Sequence, residues 1–221
     1  MQGVQVYFEG QYACFTRPEL KTERVSYDVP TPGAVRNMLQ AIYWKPAIEW
    51  HIRSITVLKP IQFMTVKRNE VYGQQSESGG NKGGIIIENN RVQRNGLLLK
   101  DVAYIVDAYF TLTAKAGTED TEEKHFAIIK RRLQNGQCFA QPFLGCREFS
   151  AFFREAQDVH TELEFIKAKG EQVAEIDYKD LGYMLYDVDY SNPQAKVLQP
   201  RYFEAKLINN VLTIEGVEVK Q

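Results

Sequence analysis

The sequence predicts an α+β fold built on an antiparallel sheet, and three observations carry this prediction. Two stretches rich in β-branched and aromatic residues, VQVYFEGQYACF (residues 4–15) and DVAYIVDAYFTLTAK (residues 101–115), are typical of strands. Two other stretches repeat apolar residues at helical spacing. The elements follow one another in the order βαββαβ, which predicts a ferredoxin-like core, the arrangement that RNA-recognition motifs also use.

The first helix is predicted at residues 32–44. Thr31 followed by Pro32 is a favourable start, because threonine caps free amide groups and proline fits the first helical position. Residues 44–46, Trp-Lys-Pro, end the helix. Its apolar side repeats at positions i, i+3, i+4 and i+7: Val35, Met38, Leu39 and Ile42.

A hairpin with a glycine-rich loop is predicted in the middle of the chain. Residues 49–72 read as extended structure interrupted at Pro60, and IIIENNRVQRNG reads as the return arm. The loop between them, GQQSESGGNKGG (residues 73–84), is either a solvent loop without function or a contact segment. A phosphate-binding loop is disfavoured, because Lys82 is followed by glycine rather than serine or threonine.

The second helix is predicted to begin near Asp120, which with Glu123 three residues later resembles a capping box. Asn135-Gly136 ends it. Residues 138–149, CFAQPFLGCREF, then supply the strand-like segment that completes the core. The predicted buried side of this helix carries three apolar residues: Phe126, Ile129 and Leu133.

Two domains are predicted, residues 1–154 and residues 155–221. The first holds 20 Lys+Arg and 15 Asp+Glu, a net charge of +5, whereas the second holds 7 and 13, a net charge of −6. The acidic, aromatic second part, with a turn at Asn209-Asn210, is expected to form a small antiparallel β-rich unit. The total of −1 disfavours a protein that coats nucleic acid indiscriminately, but the N-terminal part can meet a polyanion.

Composition also limits the compartment and the cofactors. The sequence has no run of about 18 apolar residues, and MQGVQVYFEGQ lacks the features of a signal peptide, so a cytoplasmic protein without membrane contact is expected. The three cysteines, Cys14, Cys138 and Cys146, are odd in number and show no C-x-x-C spacing. We therefore expect reduced thiols, with no metal site and no cofactor.

The segment TEEKHFAIIKRR, residues 121–132, carries the candidate catalytic residues. In a βαββαβ fold, the end of the first helix comes near the start of the second, which brings Tyr43 towards Lys124 and His125. These residue types suit metal-free cleavage of RNA by its own 2′-hydroxyl: a base for the hydroxyl proton, a cation for the phosphorane and an acid for the leaving oxygen. The structural alternative is that His125 is a half-buried core residue and Tyr43 a packing residue.

Three arginines are candidates for contacts with RNA phosphates. Arg36 lies on the Tyr43 side of the first helix, and Arg131 and Arg132 lie on a basic arc of the second. A solvated basic face is the alternative interpretation. The other two histidines, His51 and His160, lack comparable neighbours and are interpreted as structural.

Four segments in this order, VQVYFEGQYACFTRPE, TPGAVRNMLQAIYWKPAIEW, EEKHFAI and QPFLGCREF, together resemble the Cas5-family proteins of subtype I-C CRISPR systems. These are crRNA-processing endoribonucleases of the RAMP superfamily. The resemblance spans essentially the whole chain. It implies metal-independent cleavage of CRISPR repeat RNA at the base of its hairpin, and the family's catalytic tyrosine, lysine and histidine fall on Tyr43, Lys124 and His125.

The resemblance also implies partners. Family members stay with the 5′ handle of the crRNA in a surveillance complex that contains the large subunit and the backbone subunits, and double-stranded DNA is a further candidate partner. Residues 67–100 resemble the family's thumb hairpin, which favours RNA contact at Lys82. Arg147, within GCREF, is another candidate RNA contact.

Two alternatives to an endoribonuclease are weighed. The first is a non-catalytic subunit that binds the crRNA handle, since the same fold and basic surface would serve it. Family members of that kind lack the histidine that this chain has. The second, an RNA-recognition-motif adaptor, is disfavoured because no K/R-G-F/Y-G/A-F-V-x-F/Y run is present.

Overall fold

The computed structural model describes residues 3–20, 22–72, 85–189 and 199–220, and these form one nine-stranded sheet with three α-helices. The helices are α1 (Pro32–Ile42), α2 (Glu122–Asn135) and α3 (Val159–Ala168), with a short 3-10 helix at Ile87–Asn89. The strands are β1 (Gly3–Ala13), β2 (Arg24–Val25), β3 (Ile48–Val57), β4 (Phe63–Val71), β5 (Arg91–Leu112), β6 (Phe152–Glu155), β7 (Tyr178–Asp189), β8 (Gln199–Ile208) and β9 (Val211–Thr213). A mixed fold dominated by an antiparallel sheet is thereby confirmed. None of the helices in these ranges is long and apolar enough to cross a bilayer.

Strand β5 pairs with four other strands of the sheet: β1, β2, β3 and β4. The strand order is β6-β1-β5-β3-β9-β8-β7, and β2 and β4 pair with β5 outside this path. All pairs are antiparallel except β2 with β5. The β4 and β5 arms pair from Phe63 opposite Leu99 to Val71 opposite Arg91. The glycine-rich residues 73–84 between the arms lie outside the described residues.

Helix α1 begins where the sequence predicts it and ends two residues earlier than predicted. The Thr31 side chain accepts a hydrogen bond from the Ala34 amide at 3.3 Å, and Pro32 is the first helical residue. The helix ends at Ile42, and Tyr43 then adopts an extended backbone with φ −150° and ψ 119°. Tyr43 therefore leaves the helix axis at the point where its apolar side ends. The buried residues include the predicted four: Val35, Met38, Leu39 and Ile42.

Helix α2 differs from the prediction in its cap. The cap is Thr121, whose hydroxyl accepts from the Lys124 amide at 3.2 Å, so the assignment of Asp120 as the cap is wrong by one residue. Asp120 instead accepts from the Gly117 amide at 2.9 Å and closes the preceding turn. Thr121 is the better cap because the Asp120 carboxylate is already used by this turn.

The buried side of α2 also differs from the prediction. His125, Ile129 and Leu133 are buried, whereas Phe126 is only partly buried. Gly136 ends the helix in the left-handed conformation, with φ 61°, as predicted. His125 thus lies on the buried side of α2, where the sequence predicts Phe126.

Residues 138–149 do not form the predicted fourth strand, which is β6 instead. The backbone hydrogen bonds of this segment are not those of a β-ladder. Leu144 O accepts from the Cys14 amide at 3.0 Å, and the Leu144 amide donates to Phe149 O at 2.7 Å. Gly145 sits between these bonds with φ 84°, where a Cβ atom would lie 1.9 Å from Cys14 O. A tight turn against β1 therefore replaces extended structure.

The C-terminal part continues the same sheet. β9 pairs with β3, with Leu212 opposite Ile55, and one hydrophobic cluster joins Val35 of α1 to Phe203 of β8. Asn209 and Asn210 take positive φ angles of 50° and 65° at the predicted turn. Helix α3 was not predicted. The division into domains at residue 154 stays a prediction.

Candidate active site

The end of α1 and the start of α2 meet, and the Tyr43 and His125 side chains touch at this junction. The Tyr43 hydroxyl lies 2.7 Å from His125 Nδ1. Both residues are only 2% exposed. The two side chains therefore form a hydrogen-bonded pair shielded from water, in which the proton on Nδ1 depends on the tautomer of the imidazole.

Besides His125, two residues contact Tyr43. The Trp50 indole donates to Tyr43 O at 2.9 Å, which fixes the backbone. The Arg132 guanidinium lies 5.1 Å from the centre of the Tyr43 ring and donates to Ile42 O. Because α2 supplies Arg132 and α1 supplies Ile42, this arginine joins the two helices at the site.

The second nitrogen of His125, Nε2, is buried and makes no hydrogen bond to any of the described residues. Asp120 Oδ1 lies 3.3 Å away, within ion-pair distance but without the alignment of a hydrogen bond. Asp120 is a candidate functional residue that sequence reasoning missed. The available signal was its position in the turn just before the helix that carries His125.

The ionisation of the site follows from burial and from nearby charges. Burial raises the pKa of Tyr43, the Arg132 guanidinium lowers it and the Asp120 carboxylate raises it, with a net increase. The hydrogen bond from the Gly117 amide and the charges of His125 and Lys124 hold the pKa of Asp120 below its ordinary value. At neutral pH, Tyr43 is therefore a neutral hydroxyl and Asp120 a carboxylate.

Lys124 does not join the pair. Its side chain is exposed, and Nζ donates to Glu119 O at 3.1 Å. Successive helical residues point about 100° apart, so Lys124 faces solvent when His125 faces the core. Tyr43 and His125 are thus brought together, and Lys124 stands beside them at the surface.

The candidate RNA-binding residues are dispersed. Arg36 makes two hydrogen bonds to the Asp187 carboxylate, one of them 3.1 Å long, so its charge has an internal partner. Arg131 and Arg147 are exposed. Lys82 lies outside the described residues. The role of each in RNA binding stays a prediction.

The Tyr43–His125 pair does not line the cavity beside α1. That cavity, of 420 Å³, is lined by residues of α1, β7 and the turn after α2, such as Arg36, Phe143 and Asp187. None of the three candidate catalytic residues lines it. The candidate site thus consists of a buried pair at a helix junction with the exposed Lys124 beside it.

Comparisons with solved structures agree on the fold. The whole chain is similar to a structure described as a CRISPR-associated protein and to one of a functionally uncharacterized protein from Streptococcus mutans. Each has a TM-score of 0.68 at 21% sequence identity, and covers 100% of this chain and 97% of the other. At this identity, the likeness concerns the fold alone.

Sequence comparisons identify the family. The family model described as CRISPR-associated protein (Cas_Cas5) matches residues 3–215, and the chain belongs to this family. A protein of Mannheimia succiniciproducens, named CRISPR pre-crRNA endoribonuclease Cas5d, is 44% identical over 96% of this chain and 94% of its own length. A protein of the same name from Thermus thermophilus is 44% identical over 69% of this chain and 64% of its own length. The resemblance seen in the sequence is confirmed at the level of the family.

Proposed function

We propose that this chain is an endoribonuclease that cleaves CRISPR repeat RNA, with Tyr43, Lys124 and His125 as its catalytic residues. Relatives 44% identical to it carry the name CRISPR pre-crRNA endoribonuclease. The observation in this chain that carries the proposal is the buried 2.7 Å contact between the Tyr43 hydroxyl and His125 Nδ1. A hydrogen bond at one ring nitrogen fixes the tautomer of an imidazole and so prepares the other nitrogen for proton transfer.

The proposed reaction starts with proton transfer to His125. When Nδ1–H donates to the Tyr43 oxygen, Nε2 carries a lone pair and takes the proton of the RNA 2′-hydroxyl. The 2′-oxygen then bonds to the adjacent phosphorus and the bond to the 5′-oxygen breaks, which leaves a 2′,3′-cyclic phosphate. Without RNA, the Asp120 carboxylate lies 3.3 Å from Nε2, at the place that the substrate hydroxyl takes in the proposed reaction. Lys124 offsets the charge on the phosphorane, and the 5′-oxygen leaves with the proton that the His125 imidazolium gives up as it returns to its neutral form.

Access to Nε2 requires a local movement. His125 is 2% exposed, and Asp120, 28% exposed at its side chain, stands between Nε2 and solvent. In the proposed complex, RNA displaces the turn at residues 117–121, and the substrate hydroxyl takes the place of the carboxylate. The same movement brings Lys124, which follows the turn, towards the phosphate.

A non-catalytic subunit that binds the crRNA handle is the second candidate function. The burial of both His125 and Tyr43 favours it, because a proton-transfer group that never meets RNA is only structural. With either function, we propose that the chain stays bound to the crRNA 5′ handle. It would do so in a cytoplasmic surveillance complex, beside the large subunit and the backbone subunits. Double-stranded DNA is a further candidate partner. Family membership supports this part.

We also propose that the core is ferredoxin-like. The order β6-β1-β5-β3, with α1 between β1 and β3 and α2 between β5 and β6 in the chain, supports this topology. Residues 155–221 would then be the smaller β-rich domain, and the β4–β5 hairpin the thumb.

Cleavage of the repeat RNA in EDTA tests the endoribonuclease. The wild-type protein should cut it and leave a 2′,3′-cyclic phosphate, and a repeat with a 2′-deoxy nucleotide 5′ of the scissile phosphate should bind but stay intact. His125→Ala should lower the cleavage rate by a factor on the order of 10²–10⁴, the usual span for a general acid or base. His160→Ala, at an exposed histidine of α3, is the matched control and should cleave as the wild type does.

Two outcomes would contradict the proposal in different ways. If the deoxy repeat is cut, or if EDTA stops cleavage, a water molecule is the nucleophile and His125 is not the base for a 2′-hydroxyl. The described residues hold no group of three His, Cys, Asp or Glu side chains arranged to bind a metal ion, and the EDTA experiment decides the metal requirement directly. If repeat RNA binds tightly and no variant or wild type cuts it, the non-catalytic subunit is the function.

A further inference from the structure

Two aromatic side chains stand out into solvent beside the candidate active site. Trp44 follows Tyr43 directly and is 53% exposed, and Phe139, in the segment after α2, is 85% exposed. Phe139 is the most exposed large hydrophobic residue of the described chain. Exposed apolar side chains mark an interaction surface when they are grouped at one place rather than scattered singly.

The backbone at Phe139 is held in place by hydrogen bonds, although its side chain is exposed. Its amide and that of Ala140 both donate to the same carbonyl, Ala41 O, at 2.9 and 3.0 Å. Ala41 lies in the last turn of α1, three residues before Trp44. The two aromatic residues are therefore presented from one junction, and the exposure of Phe139 does not come from a loose loop.

This junction is continuous with the candidate catalytic pair. Arg132 donates to Ile42 O, next to the carbonyl that holds Phe139, and its guanidinium lies 5.1 Å from the centre of the Tyr43 ring. Tyr43 in turn contacts His125. A chain of direct contacts thus leads from the exposed aromatic residues to the imidazole.

The two segments that carry these aromatic residues contain basic residues and no acidic ones. The segments that build this surface, residues 41–46 and residues 131–141, contain Lys45, Arg131 and Arg132 and no acidic residue. We call Trp44 and Phe139 with these three cations the aromatic face. Exposed rings that alternate with cations are the combination by which proteins hold single-stranded RNA, with bases on the rings and phosphates on the cations.

We propose that Trp44 and Phe139 stack on unpaired bases of the substrate RNA that flank the scissile phosphate, and so set the position of the cleaved bond relative to His125. This inference rests on the proposed endoribonuclease function. Stacking is tolerant of sequence, so the aromatic face fixes the position of the strand, whereas base pairing in the repeat hairpin supplies the specific fold. The face positions RNA and takes no part in proton transfer.

Tryptophan fluorescence gives a direct test. The chain has two tryptophans, and Trp50 is buried at 2% exposure, so a change in emission caused by contact with RNA reports Trp44. Titration with the uncleavable deoxy repeat should quench the emission of the wild-type protein. Trp44→Phe, which keeps a ring at the position, should bind with nearly the same affinity and lose the quenching.

Variants at Phe139 separate stacking from simple apolar contact. Phe139→Ala and Phe139→Leu should both weaken binding of the deoxy repeat by roughly 5-fold to 150-fold, the equivalent of one lost base stack, while Phe139→Tyr should retain it. Phe165→Ala is the matched control, because Phe165 is a 49% exposed aromatic residue of α3 outside the aromatic face. All these side chains are exposed, so the variants should fold.

The outcomes of these experiments distinguish the stacking proposal from the proposed endoribonuclease function. If the wild type cleaves repeat RNA but its fluorescence is unchanged and Phe139→Ala binds as tightly as Phe165→Ala, the stacking is wrong and the endoribonuclease stands. In that case the aromatic face belongs to a protein partner. If Phe139→Leu binds as the wild type does, apolar contact replaces stacking and the inference is also overturned. If the wild type neither binds nor cuts the repeat, both proposals fail.

Discussion

At the scale of single residues, the Tyr43–His125 contact predicts a measurable coupling. Tyr43→Phe keeps the ring beside Arg132 but leaves Nδ1 of a buried imidazole without a partner, which should lower the free energy of unfolding by about 1–3 kcal/mol. His125→Ala removes the other partner, so the double variant should lose less than the sum of the two, with a coupling of about 0.5–3 kcal/mol. Urea unfolding at neutral pH measures all three. Tyr178→Phe, at a 60% exposed tyrosine, is the control.

The pH dependence of this coupling has a definite sign. Because burial raises the pKa of Tyr43, the stability that its hydroxyl contributes is present below the ordinary tyrosine pKa and is lost as the pH rises through the raised value. The coupling should therefore be constant from neutral to mildly alkaline pH and disappear only in strong alkali. Strictly additive effects at neutral pH would show that the 2.7 Å contact contributes nothing.

Sequence reasoning found part of this site. Helix geometry placed Tyr43 near His125, because the meeting of two helix ends depends only on element order. It gave Phe126 rather than His125 to the buried side of α2, although positions 125, 129 and 133 are spaced by four and share one side of the helix. Asp120 was missed because its contact with Nε2 comes from the turn geometry that its own bond to Gly117 creates.

At the scale of elements, Gly145 and Gly136 form a matched pair. Both have positive φ, 84° and 61°, but a Cβ at Gly145 would meet Cys14 O at 1.9 Å, whereas one at Gly136 would meet nothing within 4 Å. Gly145→Ala should cost roughly 2–6 kcal/mol, from backbone strain plus overpacking, and Gly136→Ala about 1–2 kcal/mol from strain alone. Urea midpoints give both values. Equal losses would mean that the turn after α2 moves away from β1 without cost.

Helix α3 was not predicted because a charged residue lies on its buried side. Val159, Leu163 and Ile166 of α3 have helical spacing and pack on one side of the helix. A charged residue shares this buried side, so the sequence pattern there favours extended structure instead of a helix. Glu162 is buried there and bound by both ends of the Arg154 guanidinium, at 2.6 and 2.5 Å. Arg154 lies outside α3, so the sequence of the helix alone does not show that the buried Glu162 has a partner.

At the scale of the whole molecule, the sequence predicted strands at the C-terminus but not the strand that they join. Pairing of β9 with β3 brings together residues about 150 positions apart, such as Ile55 and Leu212, and the register of such a pair is set by tertiary packing. Local alternation of side chains predicts which face of a strand is buried, but it does not predict which strand pairs with it. The antiparallel class could be predicted for this reason, and the single continuous sheet could not.

The asymmetry of charge leads to the last prediction. With +5 on residues 1–154 and −6 on residues 155–221, RNA should lie on the N-terminal part, and its affinity should fall as salt rises. Arg131 is the best test of this arrangement, because it is exposed, whereas Arg36 and Arg132 also hold the fold through Asp187 and Ile42. Arg131→Glu should weaken binding of the deoxy repeat and lower the slope of log affinity against log salt by about 1, as expected for one lost phosphate contact.

Lys206→Glu makes the same change of charge on the C-terminal part and is the matched control for Arg131→Glu. Lys206 is 46% exposed at its side chain and lies on β8. Because this strand belongs to the acidic part of the chain, its substitution should leave the salt slope of the wild type unchanged and reduce affinity only slightly through the total charge. If the two variants lose affinity equally and with equal slopes, RNA senses the charge of the whole molecule, and the N-terminal binding surface is wrong.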